Sequence, residues 1–189
     1  RGACLVLCGE DFPGRFLRHL AAGQGTFLYA SPFHYDLLAG FAAAEARFFR
    51  AVRMAISTAM PLSSDLAARF ETRFGLPLCQ AYGIIEVGLP FIQAPDEPRK
   101  PGSVGRLGRD YELRLLAPDD AGVGEVLLRG KGLFCAYFSP WRLRLDIDSE
   151  GWFHTGDLGR LDADGHLFLL GRARAVINFA GMKVFPAQV

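Results

Sequence analysis

Between residues 26 and 81, short apolar runs alternate with stretches of helical periodicity, and this alternation limits the possible folds more than any other feature of the chain. Residues 26–30, 52–57 and 76–81 read as strands, and residues 33–43 read as a helix. The best-marked helix runs from Ser63 or Ser64, either of which can cap it, to Gly75, which stops it. Within it Leu66, Phe70 and Phe74 recur every four residues and define one buried face. The apolar run at residues 3–8 predicts a further buried strand, and Phe16, Leu17 and Leu20 behind Pro13 predict a helix over 13–22. Strands and helices in alternation require βαβ crossovers and a parallel sheet. Ligands of such sheets gather at the carboxyl ends of the strands, where Ser57 and Tyr82 are expected.

The pattern changes near Pro95. The stretch Ala94-Pro95-Asp96-Glu97-Pro98-Arg99-Lys100-Pro101-Gly102 has three prolines and no apolar period, so it predicts a loop or boundary. Beyond it no helical pattern recurs. Short strands are predicted at 111–117, 125–129, 133–138, 158–161 and 166–170, separated by turn signals such as Asp162-Ala163-Asp164-Gly165. That succession predicts a small antiparallel β-barrel. The fold class is therefore α/β: part of a layered βαβ domain, then the barrel.

Half of the 189 residues are apolar, 22% are charged, and the net charge is +1, so a real core is expected and a nucleic-acid surface is not. Cys4, Cys8, Cys79 and Cys135 have no Cys-x-x-Cys spacing, and they read as buried small hydrophobes in a reducing, cytoplasmic compartment. No apolar run approaches the ~20 residues of a membrane span.

Two stretches carry the most chemical information. Gly151-Trp152-Phe153-His154-Thr155-Gly156-Asp157-Leu158 places a carboxylate on a Gly-bounded turn, and Gly171-Arg172 ends the hairpin that follows. Together they can present an acceptor and a planar donor fork to a polyol such as a ribose. Upstream stand Ala81-Tyr82-Gly83-Ile84-Ile85-Glu86, then Lys100-Pro101-Gly102-Ser103-Val104-Gly105-Arg106, then Gly124-Glu125-Val126-Leu127-Leu128-Arg129-Gly130.

In this order the motifs resemble those of the adenylate-forming superfamily, closest to its acyl-CoA synthetases. The resemblance implies ATP-dependent activation of a carboxylic acid, fatty or aryl, as an acyl-adenylate. Transfer to the thiol of CoA or of a carrier-protein phosphopantetheine would follow, so an acyl carrier protein is an implied partner. It assigns Glu86 to Mg²⁺ and to catalysis, and Asp157 and Arg172 to the ribose, with Arg172 also counted as catalytic. Ala81, Tyr82 and Gly83 would flank the nucleotide. Ser57-Thr58-Ala59-Met60-Pro61 sits where relatives carry Ser-Gly-Gly-Ala-Pro, which places Ala59 and Met60 at the nucleotide and Thr58 at the acyl pocket; His34 is a further pocket candidate. Arg174 falls at the family's hinge and Gly181 where the thiol approaches.

On this reading residues 1–98 complete the α/β region, 99–171 form the barrel, and 172–189 hold the hinge and the start of a small C-terminal domain. The family's phosphate loop would precede Arg1 and its catalytic lysine would follow Val189, so the segment alone is expected to be inactive. Ile85 departs from the family, whose threonine there offers a hydroxyl to the α-phosphate. That departure keeps open a non-catalytic nucleotide- or acyl-adenylate-binding homologue; an amino-acid adenylation domain is the other alternative.

Overall fold

The computed structural model describes residues 3–8, 11–94, 99–146, 150–175, 177–179 and 182–184. Its contacts form two compact units, one built on Arg1–Gln80 and one on Ala81–Ala94 with Pro98–Val189.

The first unit contains α1 (Gly14–Ala21), β1 (Phe27–Ala30), α2 (Pro32–Gly40), β2 (Met54–Ser57), α3 (Ser64–Phe74) and the start of β3 (Leu78–Ile84). β1 pairs parallel with β2, and β2 parallel with Leu78, Cys79 and Gln80 of β3, as the alternating pattern predicts. The ends of α3 follow from its sequence. Ser63 Oγ accepts from Leu66 N at 3.2 Å, and Gly75 closes the helix at φ +66°. Leu66, Phe70 and Phe74 are its buried residues. Phe70 is fully buried, with its ring edge-on to Tyr35 at 5.2 Å and to Phe49 at 5.9 Å. The Tyr35 hydroxyl satisfies itself on the Ile56 carbonyl at 2.9 Å, and the Arg73 guanidinium gathers carbonyls just beyond α2, those of Phe41 and Ala44 among them. Replacing Ser63 with alanine removes the side-chain acceptor at the start of α3 and is expected to cost about 1 kcal/mol, read as a lower urea midpoint at unchanged slope. An unaltered midpoint would mean that water serves that N–H equally well.

The run at residues 3–8 is not a strand. Leu5 and Leu7 are exposed and the run has no ladder partner among the described residues. An apolar run becomes a buried strand only where a neighbouring strand and a covering layer exist. The cysteine reading changes with it: Cys79 is buried in β3, but Cys4 and Cys135 are exposed and Cys8 is half-buried.

The second unit contains the rest of β3, then β4 (Gly88–Ile92), β5 (Ser103–Leu107), β6 (Tyr111–Leu116), β7 (Gly124–Gly130), β8 (Ala136–Tyr137), β9 (Arg142–Leu143), β10 (Phe153–Leu161), β11 (His166–Arg172), β12 (Ile177–Phe179) and β13 (Met182–Val184). Its main ladder runs β3-β4-β5-β11-β10-β7-β6, antiparallel throughout, and β8–β9 and β12–β13 are separate hairpins. Val87, Phe91, Val126, Leu128 and Leu167 form its fully buried core. β4 and β5 escape sequence reading because Pro90 interrupts one and Gly105 the other. Pro90 is tolerated because the β3–β4 register shifts between Tyr82 and Ile84, and a bulge needs no regular donor. The strand predicted over 133–138 shrinks to Ala136–Tyr137. Composition changes at Pro95, but contacts change at Ala81. There β3 leaves its parallel neighbour and pairs antiparallel with β4, which carries residues 81–94 into the second unit.

Candidate nucleotide site

Asp157 lies in β10 directly opposite Arg172, the last residue of β11. The predicted Gly-bounded turn at Asp157 is instead an irregular piece of strand. The register of β10 shifts between His154 and Leu158 against β7, and between Leu158 and Gly159 against β11. Gly156 makes this possible at φ +71°, a conformation costly for residues with a Cβ. Thr155 organises the irregularity. Its Oγ1 donates to the Val126 carbonyl at 2.7 Å and accepts from Asp157 N at 3.0 Å. Glu125 takes the Gly156 N–H at 3.2 Å.

The result is a carboxylate held from two sides. Arg172 Nε approaches Asp157 Oδ1 at 2.9 Å, and the Tyr82 hydroxyl donates to Oδ2 at 2.5 Å. Arg172 Nη1 also donates to the Thr155 carbonyl at 2.9 Å, which fixes the plane of the fork. Burial, and next the hydrogen bond to Asp157, push the Tyr82 hydroxyl well above the usual phenol range, so it remains a donor. Only 11% of the Asp157 side chain is exposed, against 59% for Arg172. Each carboxylate oxygen has more than one lone-pair site and a guanidinium has five N–H groups. The cluster can therefore still accept from and donate to a ligand carrying adjacent hydroxyls.

Glu86 stands apart from this cluster in the turn between β3 and β4. It is half-buried, and its Oε1 accepts from the Tyr137 hydroxyl at 2.9 Å. Its backbone carbonyl takes Phe134 N at 2.7 Å, tying the turn to the segment before β8. Burial, then the bond to Glu86, raise the Tyr137 hydroxyl as well. The Tyr137 bond engages one of the two carboxylate oxygens, and such a group suits a hard cation, which takes oxygen ligands from one or two carboxylates and from phosphates. Ile85 beside it is 96% exposed and offers no donor.

The other predicted residues fall as follows. Tyr82 and Ala81 are buried inside β3 rather than at its end. A Cβ on Gly83 would lie 2.3 Å from the Gly88 carbonyl, so the close approach that this glycine permits is between β3 and β4. In the first unit Thr58 N donates to the Ala30 carbonyl at 3.1 Å, Ala59 holds a left-handed φ of +72°, and Met60 is exposed. His34 Nδ1 lies 2.8 Å from Ser31 Oγ, and its ring meets Phe12 and Phe33 edge-on. Arg174 is exposed in the short 3₁₀ turn Ala173–Ala175, and Gly181 lies outside the described residues. Sequence reasoning missed Tyr137, which no local signal marks, and Thr155, which a hydroxyl two residues before an aspartate does mark.

The profile of the AMP-binding enzyme family matches residues 1–138. The chain belongs to the AMP-binding enzyme family. Among curated AMP-binding relatives, 4-coumarate–CoA ligase 1 of Oryza sativa subsp. japonica is 34% identical over 161 residues, 78% of this chain and 28% of the relative. Indoleacetate–CoA ligase of Aromatoleum aromaticum is 32% identical over 141 residues, 71% of this chain and 28% of the relative. Luciferin 4-monooxygenase of Luciola mingrelica is 34% identical over 137 residues, 68% and 25%. The chain thus spans about a quarter of the length of these relatives. Among solved structures, ATP-bound MatB from Rhodopseudomonas palustris superposes with a TM-score of 0.80 at 25% identity, over 93% of this chain and 36% of that one. The amide bond synthetase McbA from Marinactinospora thermotolerans gives 0.80 at 26%, over 95% and 38%. Among the described residues, no helix is long and apolar enough to cross a membrane.

Proposed function

We propose that this chain is the nucleotide-holding part of an ATP- and Mg²⁺-dependent ligase that activates an aryl or fatty carboxylic acid and passes it to the thiol of CoA or of a carrier protein. The observation that carries the reading is Asp157 clamped between Tyr82 and Arg172. A carboxylate with both oxygens anchored and lone pairs to spare is suited to two vicinal ribose hydroxyls, and the exposed fork of Arg172 adds a donor to the same sugar. Glu86, steadied by Tyr137, fits a single carboxylate ligand to Mg²⁺, which would neutralise phosphate charge. In the overall reaction the substrate carboxylate oxygen bonds to the α-phosphorus and pyrophosphate leaves. A thiol then attacks the acyl carbon, losing its proton, and AMP leaves. Arg174 as hinge and Gly181 near the incoming thiol remain part of the proposal. The names 4-coumarate–CoA ligase and indoleacetate–CoA ligase among the relatives favour an aryl acid.

The test is ATP–pyrophosphate exchange by the full-length protein with 4-coumarate, indoleacetate and a series of fatty acids. Exchange with at least one acid supports the ligase. Its absence with all of them, alongside retained AMP binding, would instead support the second reading, a nucleotide-binding homologue without catalysis, which the donor-free Ile85 favours. Ile85→Thr sharpens the distinction. A side chain this exposed can be exchanged without repacking, and one hydrogen bond to a charged group is worth about 10- to 150-fold. Adenylation by a working ligase is expected to rise by up to that factor in pre-steady-state rates; an unchanged rate would mean that another donor already serves the phosphate.

A further inference from the structure

The turn between β10 and β11 gathers three metal-ligating side chains that the nucleotide site does not use. Asp162, Asp164 and His166 each offer one ligand atom, and all three atoms lie within 4.8 Å of one another. Asp162 Oδ1 is committed to the backbone, accepting from Asp164 N and His166 N at 2.9 Å each. Its Oδ2 faces Lys100 Nζ at 2.5 Å, and Asp164 Oδ2 shares the same ammonium. Lys100 therefore balances both carboxylates.

It leaves one atom unserved. His166 is only 5% exposed, and among the described residues its Nδ1 has no hydrogen-bond partner. That nitrogen points at the acidic pair, 3.6 Å from Asp162 Oδ1, which is too long for a hydrogen bond. A buried polar atom without a partner calls for an explanation. An ammonium has only N–H groups and is already turned to the carboxylates. A divalent ion bound at ~2.0–2.2 Å to one imidazole nitrogen and two carboxylate oxygens would satisfy all three, since ligand atoms around such an ion stand roughly 3–3.5 Å apart. Imidazole with carboxylates selects zinc and its neighbours over magnesium or calcium.

We propose that Asp162, Asp164 and His166 form a site for a divalent transition-metal ion, with the Lys100 ammonium as the competing internal cation. Metal entry displaces the lysine side chain from both aspartates. The Lys100 carbonyl, which accepts from Gln93 Nε2 and Ser103 N, is untouched, so its loop stays anchored.

The experiment is calorimetric titration of Zn²⁺ into the full-length protein in a non-coordinating buffer, repeated for Lys100→Met and for Asp164→Asn in both backgrounds. Lys100→Met is expected to tighten Zn²⁺ by at least about 10- to 150-fold, the worth of one of the two charge-assisted hydrogen bonds that the metal no longer has to displace. Asp164→Asn, at an exposed position where folding is not at stake, is expected to abolish that gain. Co²⁺ added to Lys100→Met should broaden the ring resonances of His166, a readout that needs no substitution of the buried histidine. Equal Zn²⁺ affinity in wild type and Lys100→Met overturns the proposal. So does affinity that survives Asp164→Asn, or a His166 ring that Co²⁺ leaves unperturbed.

Discussion

Asp157→Ala in the full-length protein is expected to weaken ATP and AMP binding on the order of 10²- to 10⁴-fold. Two ribose hydroxyls would lose a charged acceptor, and each such bond contributes roughly 1.5–3 kcal/mol. The same substitution strands the Tyr82 hydroxyl, which is buried and donates to Asp157 at 2.5 Å. An unsatisfied buried donor costs about 1–3 kcal/mol, so a stability loss should accompany the binding loss. The two effects separate with Tyr82→Phe, which removes the hydroxyl, keeps the ring and leaves Arg172 on the carboxylate. It should change nucleotide affinity far less than Asp157→Ala does. Calorimetry on folded protein, checked by circular dichroism, makes the comparison. Unchanged nucleotide affinity in Asp157→Ala would sink the ribose role and with it the main support for the proposed function.

Phe70→Ala should be the most damaging of the simple core truncations in the first unit, at about 3–5 kcal/mol. Phe70 is fully buried on α3, and its ring meets those of Tyr35, Phe49 and Phe74. Three aromatic neighbours fixed on α2, the short 3₁₀ turn at Ala46–Phe49 and α3 itself cannot all close over the vacated space. The loss therefore includes a cavity as well as the transfer of the ring. Urea unfolding should show a lower midpoint with the slope retained. A shift below about 1 kcal/mol would mean that the aromatic cluster relaxes freely and is not packed as described.

Several of these features were legible in the residues alone. α3 is the clearest case: a serine that caps, a period of four in Leu66, Phe70 and Phe74, and a glycine that stops it all act within a few residues of each other. The hairpin that follows Asp157 was legible in part: turn residues set its register from Leu161 to Gly159, but the shift between Leu158 and Gly159 is what brings Asp157 opposite Arg172. Signals of this kind failed where a strand depended on its neighbours. Residues 3–8 have strand composition and no partner among the described residues, whereas β4 and β5 have a proline and a glycine and pair nonetheless.

The sequence by itself determined the βαβ alternation, the change to short strands, the ends of α3 and the order of the family's motifs, because each depends on residues close together in the chain. Tertiary structure alone decided that Tyr82 donates to Asp157 across 75 residues, that Tyr137 reaches Glu86 across 51, and that Lys100 enters the turn holding Asp162 and Asp164. Such pairings follow from ladder register and from which side chains lose their water together. Neither quantity is written in any local stretch of residues.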